Sequence, residues 1–270
     1  MQEDPRITGE EIEDTICISK FSAHQILTEK LGKRKVAAKF VPHCLIEEQK
    51  QNRVQTSAAL LACQFREGQA FLNRIIAIDE TRSRCYEPEL KRQSVEWKSP
   101  GEDRPVKFRQ THGGPKQMLI MAYGNERLIY THFVPVGQTV NKEYYRQFLQ
   151  KLRQAVRRKC PNMQEAGPLI LQDNASCHKA ELMMDILQRY HWEPLPHPPY
   201  SPDLSPPDFD LFPILKESLR GKRFPDIIEL THAVKERIQE INKNHLCTGI
   251  NKLPDRWRKA IEKEGDYIEN

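Results

Sequence analysis

The sequence predicts an α/β domain, a mixed sheet flanked by helices, preceded by a small all-α unit. Three observations carry that prediction. Short apolar runs bounded by turn residues, such as Ile75-Ile76-Ala77-Ile78 and Leu169-Ile170-Leu171, read as buried strands. Longer stretches show apolar residues at helical spacing, and 142–159 is the clearest of them. The first forty residues carry two helix-start signals.

Composition sets the outer bounds. At 270 residues the chain has room for one large domain and one small one. Apolar content of 38% beside 29% charged residues fits a soluble globular protein. No run of 18 apolar residues offers a membrane helix, and the acidic, polar residues after Met1 do not form a signal peptide. A net charge of +5 permits a nucleic-acid partner without demanding one. The seven cysteines are odd in number and include no Cys-x-x-Cys pair. They argue against zinc or a disulfide framework and for a reducing compartment.

In chain order, Thr8-Gly9-Glu10-Glu11 has the form of a capping box and starts a short helix that runs to Cys17. Ser19 caps a second helix, with Phe21, Ile26, Leu27 and Leu31 apolar and Gly32 as its stop. Two short helices joined by a tight turn form a helix-turn-helix, whose second helix enters the DNA major groove. Lys20, Ser22, His24 and Gln25 are its candidates for groove contact, and Lys30, Lys33, Arg34, Lys35 and Lys39 for phosphates. An ordinary helical hairpin with a solvated basic face fits the same pattern.

Val41 precedes a proline and reads as extended. Helical spacing resumes over 45–65, with Ile46, Val54, Leu60 and Leu61 apolar. Ile75 to Asp79 is the first strand. The polar stretch 87–114, rich in Lys and Arg, is a long loop. Runs at 118–122 and 128–134, separated by turn residues, predict a hairpin. Asn141 caps a helix whose inner face is Tyr145, Phe148, Leu149, Leu152 and Val156; its many cations read as a solvated face, with a DNA groove as the alternative. A strand at 169–171, a helix at 179–190 and a strand at 192–195 follow. Pro206 and Pro207 then fix the backbone ahead of a helix over 209–220. Amphipathic helices at 227–241 and 254–263 close the chain, with Val234, Ile238, Trp257 and Ile261 inward.

The chemistry lies in three acids. Asp79 ends one apolar run and Asp173 follows another, where a charge is awkward to bury without a cation. Asp208 stands at the head of a helix, behind a stiff proline loop. Together the three fit a hard divalent ion, which takes oxygen ligands and keeps several waters. Two such ions about 3.5–4 Å apart clamp the attacking and leaving oxygens of a phosphoryl transfer. Any one of these acids alone also fits a strand terminator or cap. Asp203 and Asp210 are rivals to Asp208, and Cys177-His178 offers a weaker thiol alternative.

The acids, the 34 residues between Asp173 and Asp208, Leu171-Gln172-Asp173-Asn174-Ala175 and Tyr200-Ser201-Pro202-Asp203-Leu204-Ser205-Pro206 resemble the mariner branch of the Tc1/mariner DNA transposases. So do Phe40-Val41-Pro42-His43 (the family has Trp where Phe40 stands), Trp97-Lys98-Ser99-Pro100-Gly101, Gly137-Gln138-Thr139 and Glu264-Gly265-Asp266-Tyr267. The likeness runs in the family's order from Thr8 to Ile268.

The resemblance implies an RNase H-like fold, with Asp79, Asp173 and Asp208 as a metal-binding catalytic triad for Mg²⁺ or Mn²⁺. The family's spacing selects Asp208 over Asp203 and Asp210. Glu80, Asn174 and His178 are read as residues that orient these ligands. The implied activity is an endonuclease and strand transferase acting on double-stranded DNA, both transposon terminal inverted repeats and target DNA. A homodimer formed through the linker and the clamp loop, a nuclear location and no membrane partner go with it. Residues 1–39 would then hold the second helix-turn-helix, 40–70 the linker and its helix, and 71–270 the catalytic domain with a clamp-loop insert at about 87–114. Family members carry two helix-turn-helix units ahead of the linker, and this chain has room for only the second. That leaves a transposase-derived DNA-binding protein without transposition activity as the alternative, and a structure-selective nuclease of the same fold as a third reading.

Overall fold

The structure is a computed structural model and describes residues 8–33, 41–88, 114–174 and 181–268. Contacts divide the chain into two units, Met1–Pro42 and His43–Asn270. In the first unit, α1 (Gly9–Ile16) opens with the expected capping box: the Thr8 hydroxyl accepts from the Glu11 amide at 3.2 Å, and the Glu11 carboxylate accepts from the Thr8 amide at 2.6 Å. Ser19 caps α2 (Lys20–Gln25), its hydroxyl accepting from the Ser22 amide at 3.2 Å, and a wide turn over Ile26–Lys30 continues it. Ile12 and Ala23 are buried, whereas Ile16, Phe21, Ile26 and Leu31 stay exposed.

The second unit begins with α3 (Glu47–Glu67) and α4 (Gln69–Asn73). Its sheet comprises β1 (Ile75–Arg84), β2 (Lys116–Tyr123), β3 (Leu128–Val134), β4 (Leu169–Leu171) and β5 (Glu193–Pro194), in the order β3-β2-β1-β4-β5. β1 pairs antiparallel with β2 and parallel with β4, so the sheet is mixed. Helices α5 (Lys142–Lys159), α6 (Pro161–Ala166), α7 (Glu181–Arg189), α8 (Phe212–Glu217), α9 (Ile227–Lys243) and α10 (Gly249–Glu262) complete it.

Strand side chains alternate faces, and the two sets enter different cores. Ile75, Ala77, Leu119, Met121 and Tyr123 join Leu60 of α3, Leu215 of α8, Val234 of α9 and Trp257 of α10. Ile76, Ile78, Ile120 and Ala122 join Tyr145, Phe148 and Leu152 of α5 and Leu187 of α7. Burial on both faces explains why these strands read as unbroken apolar runs.

Several elements depart from expectation. β1 runs on to Arg84 because its polar half still pairs with β2, down to Arg84 opposite Lys116. An apolar-run argument cannot see that half. The helix expected over 209–220 is split into a wide, π-type turn at Pro207–Leu211 and α8. α10 starts at Gly249 and takes Pro254 into its interior. On α3 the inward line is Arg53, Ser57 and Leu60 rather than one through Ile46, which is exposed. The helix-like 179–190 stretch begins, within the described residues, at Glu181.

Candidate active site

The parallel pairing of β1 with β4 sets Ala77 opposite Leu171. Asp79 lies two residues further along β1 and Asp173 two residues past the last residue of β4, so adjacent strands bring both acids to one cavity. Asp208 arrives from the π-type turn. All three line one cavity of about 590 Å³, together with Glu80, Asn174, His197, Tyr200 and Ser205.

The electrostatics are those of crowded acids. Burial, then the Asp208 charge, pushes the Asp79 carboxyl up to about 8, although its oxygen accepts from the Glu80 amide at 2.7 Å. Burial also raises Asp208, against hydrogen bonds from Ser205 and Asp79. At neutral pH, therefore, the Asp79–Asp208 pair holds a proton between its two carboxyls. Asp173 is exposed at the cavity rim. Among the described residues, no three His, Cys, Asp or Glu side chains form a ready-made metal shell. The donor set nevertheless suits a hard cation: carboxylate oxygens, kept protonated only by burial and mutual repulsion, gain most from a divalent charge.

Neighbouring residues set the walls. Asn174 donates to the His197 carbonyl at 2.7 Å and fastens the exit of β4 to the proline loop. Burial lowers His197 to about 4, with Asp173 and then Asp203 opposing, so its ring is neutral at pH 7.

The two rival acids are occupied elsewhere. Asp203 forms a fork-to-fork pair with Arg53 of α3, at 2.8 and 2.7 Å, and accepts from the Ile268 amide at 2.9 Å. Asp210 accepts from the amides of Thr248 and Gly249 at 3.0 and 2.8 Å and from Lys252 at 2.7 Å, which caps α10 from outside the helix. Gly249 is needed there, since an added Cβ would stand 2.6 Å from the Tyr123 hydroxyl.

Of the ligand-orienting candidates, Glu80 and Asn174 line the cavity, and His178 lies outside the described residues. The clamp-loop stretch, Arg34 and Lys35 also lie outside them. Lys33, His24 and Gln25 are exposed, Gln25 donating to Glu29 at 3.1 Å. Lys20 is ion-paired with Glu10. Ser22 is half-exposed, its hydroxyl 2.9 Å from that of Ser19.

Sequence reasoning missed His197, Ser205 and Arg53. The signal for Arg53 was available: a lone cation on the same helical line as Ser57 and Leu60 needs a buried anion.

The DDE superfamily endonuclease family matches residues 74–231. The Mariner Mos1 transposase of Drosophila mauritiana is 32% identical over 271 aligned positions, which cover 100% of this chain and 77% of that protein. The histone-lysine N-methyltransferase SETMAR of Homo sapiens is 31% identical across 100% of this chain, which spans only 39% of SETMAR. The crystal structure of the Mos1 mariner paired end complex with Mn superposes with a TM-score of 0.85 at 32% identity, covering 99% of this chain and 77% of that one. The corresponding complex with Mg gives 0.85 at 31% identity, with the same coverage.

Proposed function

The chain belongs to the mariner transposases of the DDE endonuclease superfamily, with their RNase H-like catalytic fold, and from that premise we propose that Asp79, Asp173 and Asp208 bind the divalent cations of a DNA cutting and joining reaction. One observation carries the reading. Two neighbouring parallel strands and a proline-stiffened turn bring the three acids to one cavity, where burial and mutual repulsion raise Asp79.

Mg²⁺ or Mn²⁺ held by these carboxylates would activate a water or a 3′-hydroxyl and stabilise the leaving oxygen. That Mos1 complexes were solved with either ion supports this cofactor class. The chain's own residues do the rest. Asp79 and Asp208 release their shared proton on loading. Glu80 beside Asp79 and Asn174 beside Asp173 orient the ligand-bearing segments. His197, neutral at pH 7, lines the cavity without adding charge against the incoming cation.

The substrate in this reading is double-stranded DNA, both transposon ends and target, bound as a homodimer, as the paired-end form of Mos1 supports. Residues 1–39 contact DNA and residues 71–270 carry the chemistry. A nuclear location goes with this reading. The likeness to SETMAR, whose name states another activity, favours one alternative: a transposase-derived DNA-binding protein without transposition activity. Incubating supercoiled plasmid with the protein and Mn²⁺ separates the two. Nicking that Asp173→Asn abolishes supports the enzyme; retarded migration of terminal-repeat DNA with no nicking supports the alternative.

A further inference from the structure

Arg53 is fully buried and uses all five of its N–H donors. Its Nε donates to the Gly265 carbonyl at 2.7 Å. One terminal nitrogen donates to the Ser201 hydroxyl at 2.7 Å and to Asp203 Oδ1 at 2.8 Å. The other donates to Asp203 Oδ2 at 2.7 Å and to the Asp266 carbonyl at 3.2 Å. One side chain thus ties α3, the proline loop and the last segment of the chain together.

The ties continue toward the cavity. Ser201 O accepts from the Leu204 amide at 3.0 Å, and Ser205 O accepts from the Asp208 and Phe209 amides at 3.0 and 3.1 Å. The Ser205 side chain hydrogen-bonds the Asp208 carboxyl. From the far side, the Tyr267 hydroxyl donates to the Tyr200 carbonyl at 2.9 Å. Gly265 admits the close approach that this needs: its φ is +84°, and an added Cβ would stand 2.2 Å from the Lys50 carbonyl oxygen. Arg256 donates to the Asp203 carbonyl at 3.0 Å.

We infer that Arg53, through Asp203 and Ser201, is a positioning residue for Asp208, setting the height at which the turn presents its carboxylate to the cation. The physical ground is geometric. Only a guanidinium spans two carboxylate oxygens, a hydroxyl and two carbonyls at once; a lysine ammonium in its place keeps the charge but loses the fork. The inference rests on the reading of Asp208 as a cation ligand.

The test titrates Mg²⁺ into plasmid-nicking reactions of the full chain, with Mn²⁺ affinity measured by calorimetry and the fold monitored by circular dichroism. Arg53→Lys is expected to stay folded at the assay temperature, to need about 10-fold or more Mg²⁺ for half-maximal nicking, and to bind Mn²⁺ correspondingly more weakly. Tyr267→Phe, which removes one exposed bond to the same loop, covers the case in which Arg53→Lys does not fold; it should move the Mg²⁺ requirement in the same direction by about 2-fold. If the wild type nicks and both variants match its Mg²⁺ requirement, Arg53 is only structural and the inference is overturned. If the wild type neither nicks nor binds Mn²⁺, the parent reading fails and takes this one with it. If the wild type binds Mn²⁺ without nicking, the calorimetric comparison alone decides.

Discussion

Two half-buried acids on one loop, Asp203 and Asp208, resolve their charge in opposite ways. At Asp203 the fold supplies the cation: Arg53 pairs both oxygens, and backbone groups fill the remainder. Five residues on, Asp208 faces Asp79 with no hydrogen-bonded cation among the described residues, Lys216 only lowering it from a distance, and burial leaves the pair to hold a proton between them. A buried carboxylate paired from within belongs to the framework. A half-buried pair of acids with no bonded cation costs stability, and in the proposed reading an external cation completes it.

The largest contrast concerns activity. Asp173→Asn or Asp208→Asn should reduce Mn²⁺-dependent nicking of supercoiled DNA to background while the thermal melt stays within a few degrees of wild type. Nicking at wild-type rates would erase the distinction between the two acids.

Next comes stability on the framework side. Arg53→Met leaves Asp203 buried and unpaired, and should cost about 3–5 kcal/mol in urea unfolding. The double variant Arg53→Met/Asp203→Leu should recover much of that loss, since apolar replacements of buried ion pairs are often neutral. Gly265→Ala should cost roughly 2–3 kcal/mol by the same measurement, from a left-handed backbone and the Lys50 contact.

The smallest effect sharpens the comparison from the catalytic side. Asp79 carries a raised pKa, so its contribution to stability is present below pH 4 and is lost as pH rises toward about 8. In EDTA, Asp79→Asn should therefore melt higher than wild type at pH 8 and show no advantage at pH 4. Adding Mg²⁺ at pH 8 should close the gap by stabilising the wild type alone.

Much of the fold was legible because its strands are buried on both faces and announce themselves as apolar runs; β2, β3, α5 and β4 sit where periodicity places them. The polar half of β1 and the interior Pro254 of α10 were not, because pairing and capping by Asp210 come from far along the chain. Asp79 and Asp173 were visible as charges at the ends of apolar runs, and Asp208 as an acid behind a proline loop. Asp203, Asp208 and Asp210, all in one short stretch, look alike in sequence. They differ only in partners supplied by α3 and α10, which no local pattern reveals.

The most direct measurement is calorimetric titration of Mn²⁺ into the full chain at pH 7.5, in buffers of different ionisation enthalpy. The account predicts binding with net proton release, abolished by Asp79→Asn, Asp173→Asn or Asp208→Asn and unchanged by Asp255→Asn on the exposed face of α10. Binding that survives all three active-site substitutions, or takes place without proton release, would contradict it.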